Sequence, residues 1–299
     1  MNNIKTTFNI KDLENLSGIK AHTIRIWEKR YKVLEPMRTD TNIRVYDSEA
    51  LQKLLNISTL NSFGYKISNI AKMPQEKVPQ LVRDVLSNKS MANHVLSTFK
   101  LAMMNFDKLL FLNTYDSLLK ENSFRDIFYK YFIPLLREVG ELWQTGTITP
   151  AHEHFISFLV KQKIIANIEL LQAREPYKLD RTYVLYLPMN EIHELGLMLV
   201  NYELMLNGCK TVYLGESVPV SCLKGMHDFF DNITFITYMT VEPQMADVNT
   251  YISQLKEEVL NVGNSELYVL GRNTQFMDPE QAGSNVTVFG SIQELADIL

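Results

Sequence analysis

Cysteine is almost absent from this 299-residue chain. Two residues, Cys209 and Cys222, cannot make a zinc quartet and give no disulfide framework, so the expected setting is a reducing cytoplasm. No apolar run is long and charge-free enough to span a bilayer, and nothing near the N-terminus reads as a signal peptide. No membrane partner is therefore expected. Neither His152-Glu153 nor His193-Glu194 is completed to the zinc-protease His-Glu-x-x-His, because positions 156 and 197 are Ile and Leu. No other catalytic constellation stands out, and the chain does not read as an enzyme. Surplus positive charge is lacking too: the net charge of −4 speaks, by itself, against nucleic acid. With 46% hydrophobic and 21% charged residues the composition argues against a disordered regulator. The length has room for two or three domains.

The charge is unevenly spread. Residues 1–73 hold twelve Lys/Arg against seven Asp/Glu, a balance of +5 that leaves −9 on the rest. A basic module joined to an acidic body fits a DNA reader attached to a sensor. Residues 11–16 read as a short helix ending at Ser17-Gly18, and residues 21–31 as a second whose Ile24 and Trp27 face the first. Together they make a helix-turn-helix. On the second helix His22, Thr23, Arg25, Lys29 and Arg30 are the candidate DNA contacts. Residues 34–46 read as a β-wing, with Arg38 and Arg44 flanking the polar tip at 39–42 and Tyr46 completing the set. Asp47 or Ser48 caps a helix over 49–63, which Gly64 ends. Three separated stretches then make residues 7–73 similar to the DNA-binding domain of the MerR family. They are Thr23-Ile-Arg25-Ile-Trp27-Glu28-Lys-Arg30-Tyr31, the wing through Arg44-Val-Tyr46, and Tyr65-Lys-Ile-Ser-Asn-Ile70. That resemblance implies a winged helix-turn-helix on a double-stranded DNA operator, with dimers gripping two half-sites and deforming the spacer.

The long coiled-coil helix that many members of that family carry next is not visible here. Pro74 and Pro79 come early, Ser87-Asn-Lys-Ser90 reads as a break, and no apolar heptad runs through it. Several helices are expected between about residues 78 and 174, parted near Asn105, Asn122 and Thr145-Gly-Thr147. Phe124, Ile127, Phe128, Tyr131, Leu135 and Leu142 recur at helical spacing, which a four-helix bundle would bury. Pro134 is expected to kink its helix. Thr149 is the expected N-cap of the last bundle helix and Pro150 its first residue, so Glu153 and His154 sit in its first turns. Read by residue type alone, Trp143 is core and Glu153-His154 a solvated helix start.

Strands at 183–187, 211–214, 234–239, 267–270 and 286–289 alternate with helices, with good starts at Asp278-Pro279 and at the capping box Ser291-x-x-Glu294. Five such units imply a flavodoxin-like, doubly wound parallel sheet. The first strand is followed by a short loop, Pro188 to Glu191, and then by a long helix. That helix is apolar nearly all round from Leu197 to Leu206, so it should be covered on more than one side. Here lies Glu191-Ile-His193-Glu-Leu-Gly196, beyond the carboxyl end of a strand, where open α/β sheets present ligands. A His held by a carboxylate is well placed to bind a metal; alone, His193 reads more readily as a helix cap.

This stretch resembles the cobalamin-binding domain, whose signature is Asp-x-His-x-x-Gly. The pattern Trp143-x9-Glu153-His154 resembles the helical cap of cobalamin-dependent, light-responsive MerR-type repressors. The two resemblances imply His193 as lower cobalt ligand, oriented by Glu191, with Gly196 leaving room for the nucleotide tail. They imply Trp143, Glu153 and His154 over the upper face, where an adenosyl group lies, so that adenosylcobalamin is the favoured cofactor. Later motifs depart from the family. In place of Ser-x-Leu or Ser-x-Thr stands Thr237-Tyr238-Met239-Thr240, where Thr237 keeps a hydroxyl beside a bulky Tyr238. In place of Gly-Gly stands Gly271-Arg272, where Arg272 either pairs with the tail phosphate or blocks its channel. Gln144 stands where light sensors of this kind can carry a His.

The implied organisation is a winged helix-turn-helix over 1–75, a helical bundle over 76–177 and a cobalamin-binding α/β domain over 178–299. The implied function is a transcriptional regulator whose homo-oligomerisation, as dimer or tetramer, and operator binding are controlled by cobalamin, with light as a candidate signal. Two alternatives stand beside it. One is a regulator that kept the fold, lost the cofactor and answers to a protein partner; the other is a corrinoid methyl-carrier protein.

Overall fold

Asn9 starts the first helix: its side chain accepts from the Lys11 and Asp12 amides, and Asp12 returns a bond to the Asn9 amide. In this computed structural model the helix, α1, spans Ile10–Ser17 and ends at Gly18, whose φ of 73° needs no side chain. The structure describes residues 7–39, 41–74, 76–86, 91–262, 264–278 and 283–299. The break expected at 87–90, the Asp40 of the wing tip and the helix start at Pro279 lie outside them. The chain divides into two compact units, residues 1–160 and 161–299.

In the first unit α2 (Ala21–Tyr31) buries Ile24 and Trp27. The wing is an antiparallel pair, β1 (Met37–Arg38) with β2 (Arg44–Val45). Asp47, not Ser48, caps α3 (Ser48–Ser62) by accepting from the Ala50 amide at 2.8 Å. The short helices α4 (Ile67–Ile70) and α5 (Lys77–Leu86) follow. Phe8, Leu13, Leu16, Ile24, Leu51 and Leu54 are buried here, which the expected helix-turn-helix requires.

Glu14 ties α1 to the start of α2. Its carboxylate meets the Lys20 ammonium and the Ala21 amide, each at 3.2 Å, and the Lys11 ammonium at 3.2 Å. These bonds, Lys20's first, hold its pKa near 2 against an ordinary 4.5. A carboxylate depressed in the folded state stabilises while ionised. The contribution is therefore complete above about pH 4.5 and is lost as pH falls toward about 2. Thermal melts taken through that window should show the wild type losing stability, with a shallower slope for Glu14→Gln.

The rest of this unit is helical: α6 (Met91–Met104), α7 (Lys108–Leu119), α8 (Phe124–Ile127), α9 (Ile133–Gln144) and the start of α10 (Pro150–Gln172). The kink expected at Pro134 takes the form of a π-turn just ahead of it, Phe128–Phe132, where the Ile133 amide bonds to the Phe128 carbonyl. Proline lacks an N–H and crowds the carbonyl four residues back, so the preceding turn widens. Phe99, Phe111 and Phe132 are fully buried, their ring centroids 4.9 to 6.0 Å apart.

The second unit holds a parallel sheet in the order β4-β3-β5-β6-β7. Its strands are β3 (Lys178–Tyr186), β4 (Cys209–Gly215), β5 (Asn232–Tyr238), β6 (Asn264–Leu270) and β7 (Val286–Val288). The helices are α11 (Leu195–Leu206), α12 (Val220–Lys224), α13 (Val248–Glu258) and α14 (Ile292–Ala296), the last capped by Ser291 as expected. β3 begins five residues before the expected start at 183. α11 is buried continuously from Leu197 to Leu204, as its all-round apolar sequence requires. Strand order reverses about β3, so the loops after β3 and β5 leave the sheet at its switch point.

Candidate functional site

On the helix-turn-helix, His22, Arg25, Lys29, Arg30 and Arg38 are exposed and Thr23 is half-buried. Tyr46 corrects the sequence-based reading. It is 1% exposed, and its hydroxyl donates to Glu28, which also accepts from Arg44 Nε at 3.2 Å. The Tyr46 pKa is pushed up, by burial first and by Glu28 second. Tyr46 thus secures the wing to α2 from inside and does not present its phenol to a phosphate.

The loop after β3 is organised by Glu191, a fully buried carboxylate. Its Oε1 accepts from the Ile192 and His193 amides at 3.0 Å and from His193 Nδ1 at 2.6 Å. Its Oε2 accepts from the Thr240, Val241 and Glu242 amides at 3.0, 2.7 and 2.9 Å, across the switch point on the loop after β5. Burial alone would raise the pKa of this group. The bonds from His193 and the backbone outweigh it and hold the carboxyl near 2, so it is ionised. An ionised carboxylate only accepts, so Nδ1 carries the proton and Nε2 the lone pair of the neutral ring. Glu191 also explains why α11 starts later than expected. By taking the amides of 192 and 193 it keeps those residues in the loop, and α11 begins at Leu195.

The His193 side chain is 51% exposed, and Met189, Ile192, Val241 and Met245 on the same two loops are exposed as well. An imidazole among solvent-facing apolar side chains suits a large, flat, largely apolar ligand. Among the described residues no group of three or more His, Cys, Asp or Glu could hold a metal ion. A single imidazole suits a metal that brings its other ligands with it. The next residue along, Glu194, accepts from Lys161 and, at 3.3 Å, from the Tyr213 hydroxyl.

In the first unit Trp143 is 55% exposed at the end of α9, which excludes the core reading. Glu153 accepts from Ser157 Oγ at 2.8 Å and lies 2.6 Å from His154 Nδ1, and His154 is exposed. Between them Thr149 begins α10 through His152, whose Nδ1 accepts from the Thr149 amide at 3.2 Å. His152 is fully buried and stacks on Phe106.

Successive side chains of a strand point to opposite faces, and Thr237 is fully buried on β5 beside the hydroxyls of Tyr186 and Tyr251, which lie 3.3 Å apart. The neighbouring Tyr238 takes the other face and packs its ring on Gly196. Gly271 has φ 102°, and a Cβ there would collide with the Met239 backbone, so this glycine serves a close approach of β6 to β5. Arg272 is exposed. The sequence-based reading missed Asn273, which donates to the Val241 and Pro243 carbonyls at 3.0 Å and steadies the loop that Glu191 holds.

A family description, MerR HTH family regulatory protein, matches residues 8–77, and a second, B12 binding domain, matches residues 95–166. The HTH-type transcriptional repressor CarH of Myxococcus xanthus is 30% identical over 223 residues, 73% of this chain and 73% of its own length. The chain belongs to the family of MerR-type transcriptional regulators that carry a B12-binding domain. The HTH-type transcriptional repressor CarA of Myxococcus xanthus is 25% identical over 224 residues, 73% of this regulator and 72% of CarA. The Methanosarcina barkeri monomethylamine corrinoid protein shares the fold, with a TM-score of 0.56 at 16% identity over 69% of this regulator and 96% of that chain. No described helix of this regulator is long and apolar enough to cross a membrane. A corrinoid fits the residues of the second unit in one respect, the exposed His193 backed by Glu191. It conflicts in another, since Tyr238 lies where Gly196 leaves space.

Proposed function

We propose that this regulator binds operator DNA under the control of cobalamin, with adenosylcobalamin as its cofactor and light as the signal that discharges it. The observation that carries the reading is His193, half-exposed at the switch point with Nδ1 tied to a buried, ionised Glu191. When bound, adenosylcobalamin would supply light-sensitive cobalt–carbon chemistry. His193 Nε2 would ligate the cobalt, with Glu191 fixing the ring's tautomer and raising its basicity. Trp143, Glu153 and His154 would contact the cofactor's adenosyl group, Trp143 by excluding water from it. The boundaries 1–75, 76–177 and 178–299 separate the reader, the cap and the α/β domain, and no catalytic step is assigned to any of them.

The connection beside Trp143 is bonded to the reader. Asn15 Nδ2 on α1 donates to Thr147 Oγ1 at 3.1 Å, while Lys100 on α6 donates to the Leu16 carbonyl at 3.2 Å and pairs with Glu138 at 2.7 Å. Through these bonds a rearrangement of the segment beside Trp143 would reach α1. Loaded subunits assemble as dimers or tetramers, and two readers on one operator bind jointly, so assembly tightens the grip.

The test uses the full chain and operator fragments selected by binding. In the dark with adenosylcobalamin, native mass should rise and operator affinity increase at least tenfold, and illumination should reverse both. Unchanged mass and affinity in all conditions would exclude cofactor control. That outcome favours the second reading, a regulator answering to a protein partner, for which the placement of Tyr238 already speaks.

A further inference from the structure

Gly196 is the second residue of α11, where a small residue is expected to leave a passage. The passage is taken. A Cβ built on Gly196 would lie 2.6 to 2.8 Å from three carbons of the Tyr238 ring, its hydroxyl-bearing carbon nearest. No real Cβ sits that close, so the phenol ring lies against the bare Cα and uses the room the glycine frees. Tyr238 is the last residue of β5, and the loop after it is held on both sides, by Glu191 through the amides of 240–242 and by Asn273 through two carbonyls. The backbone that carries the ring is therefore fixed, and only rotation of the side chain can clear the space.

From this placement we infer that Tyr238 is a specificity-determining residue, a gate that closes the Gly196 passage to the nucleotide arm of a corrinoid while leaving His193 accessible to its metal. The inference rests on the corrinoid reading above. A ligand that needs the ring displaced binds only the open fraction, and its apparent affinity falls by that fraction. A corrinoid without the arm binds whether the ring is in or out. The chain should consequently discriminate between corrinoids by their lower arm, and the ring, not its hydroxyl, should be the cause.

The experiment titrates the full chain in the dark with adenosylcobalamin and with adenosylcobinamide, which lacks the nucleotide, following the change in corrinoid absorbance on histidine ligation. Wild type and Tyr238→Phe should take up the cobinamide at least as tightly as the cobalamin. Tyr238→Leu keeps an apolar side chain on β5 but removes the ring. It should tighten cobalamin at least tenfold and leave cobinamide unchanged. A wild type that prefers cobalamin, or a Tyr238→Leu variant with the wild-type ratio, would overturn the gate while leaving the cofactor reading intact. Uptake of neither ligand by wild type would overturn that reading and the gate together. Loss of both ligands in His193→Ala supports the corrinoid reading on which the gate rests.

Discussion

Replacing His193 by Ala should weaken cobalamin retention by more than about 100-fold, because the change removes the metal ligand itself, whereas loss of a ligand's hydrogen-bond partner costs 10- to 100-fold. The fold should tolerate it. The side chain is half-exposed, and Glu191 keeps its five backbone donors when the imidazole leaves. A stability loss of about 1 kcal/mol is expected, the worth of one hydrogen bond. Equilibrium dialysis and thermal melts measure the two effects separately. Operator binding by this variant should persist at its cofactor-free level and ignore both cobalamin and light.

Replacing Glu191 by Ala should cost the fold considerably more. It leaves five amides, those of Ile192, His193, Thr240, Val241 and Glu242, without their common acceptor. Each orphaned donor away from water costs about 1–3 kcal/mol, and partial rescue by solvent brings the sum to about 3–5 kcal/mol. Glu191→Gln is the informative comparison. It preserves shape and one oxygen but turns an NH₂ group toward donors, so it should lose nearly as much as the alanine. If the glutamine variant melts like wild type, the carboxylate is not what binds the two loops. Amide exchange at residues 240–242 should accelerate in both variants, and cobalamin affinity should drop even where the fold survives, since the imidazole loses its tautomer lock.

Much of this was legible locally. One helix begins at Pro150, the residue expected to open it, and Ser291-x-x-Glu294 starts another where its capping chemistry puts it. The alternation of apolar strands with helices gave the parallel sheet. What the sequence hides is distant or two-sided. The partners of Glu191 Oε2 lie 49 to 51 residues away, and no local signal announces them. A side-chain reach longer by one methylene than the family's aspartate was the only hint. β5 is buried on both faces, so its pattern does not say which way Thr237 and Tyr238 point. Tyr46 follows two basic wing positions and reads as their companion, yet burial and Glu28 turn it inward.

The central claim, that one protein imidazole holds the cobalt, is tested most directly by electron-spin resonance of the reduced, cobalt(II) form of the loaded chain. Protein grown with histidine carrying the heavy nitrogen isotope should convert the nitrogen triplet on each cobalt line into a doublet. His193→Ala should show no protein-derived splitting. A triplet that persists in the labelled wild type would assign the lower nitrogen to the cofactor's own base and contradict the account.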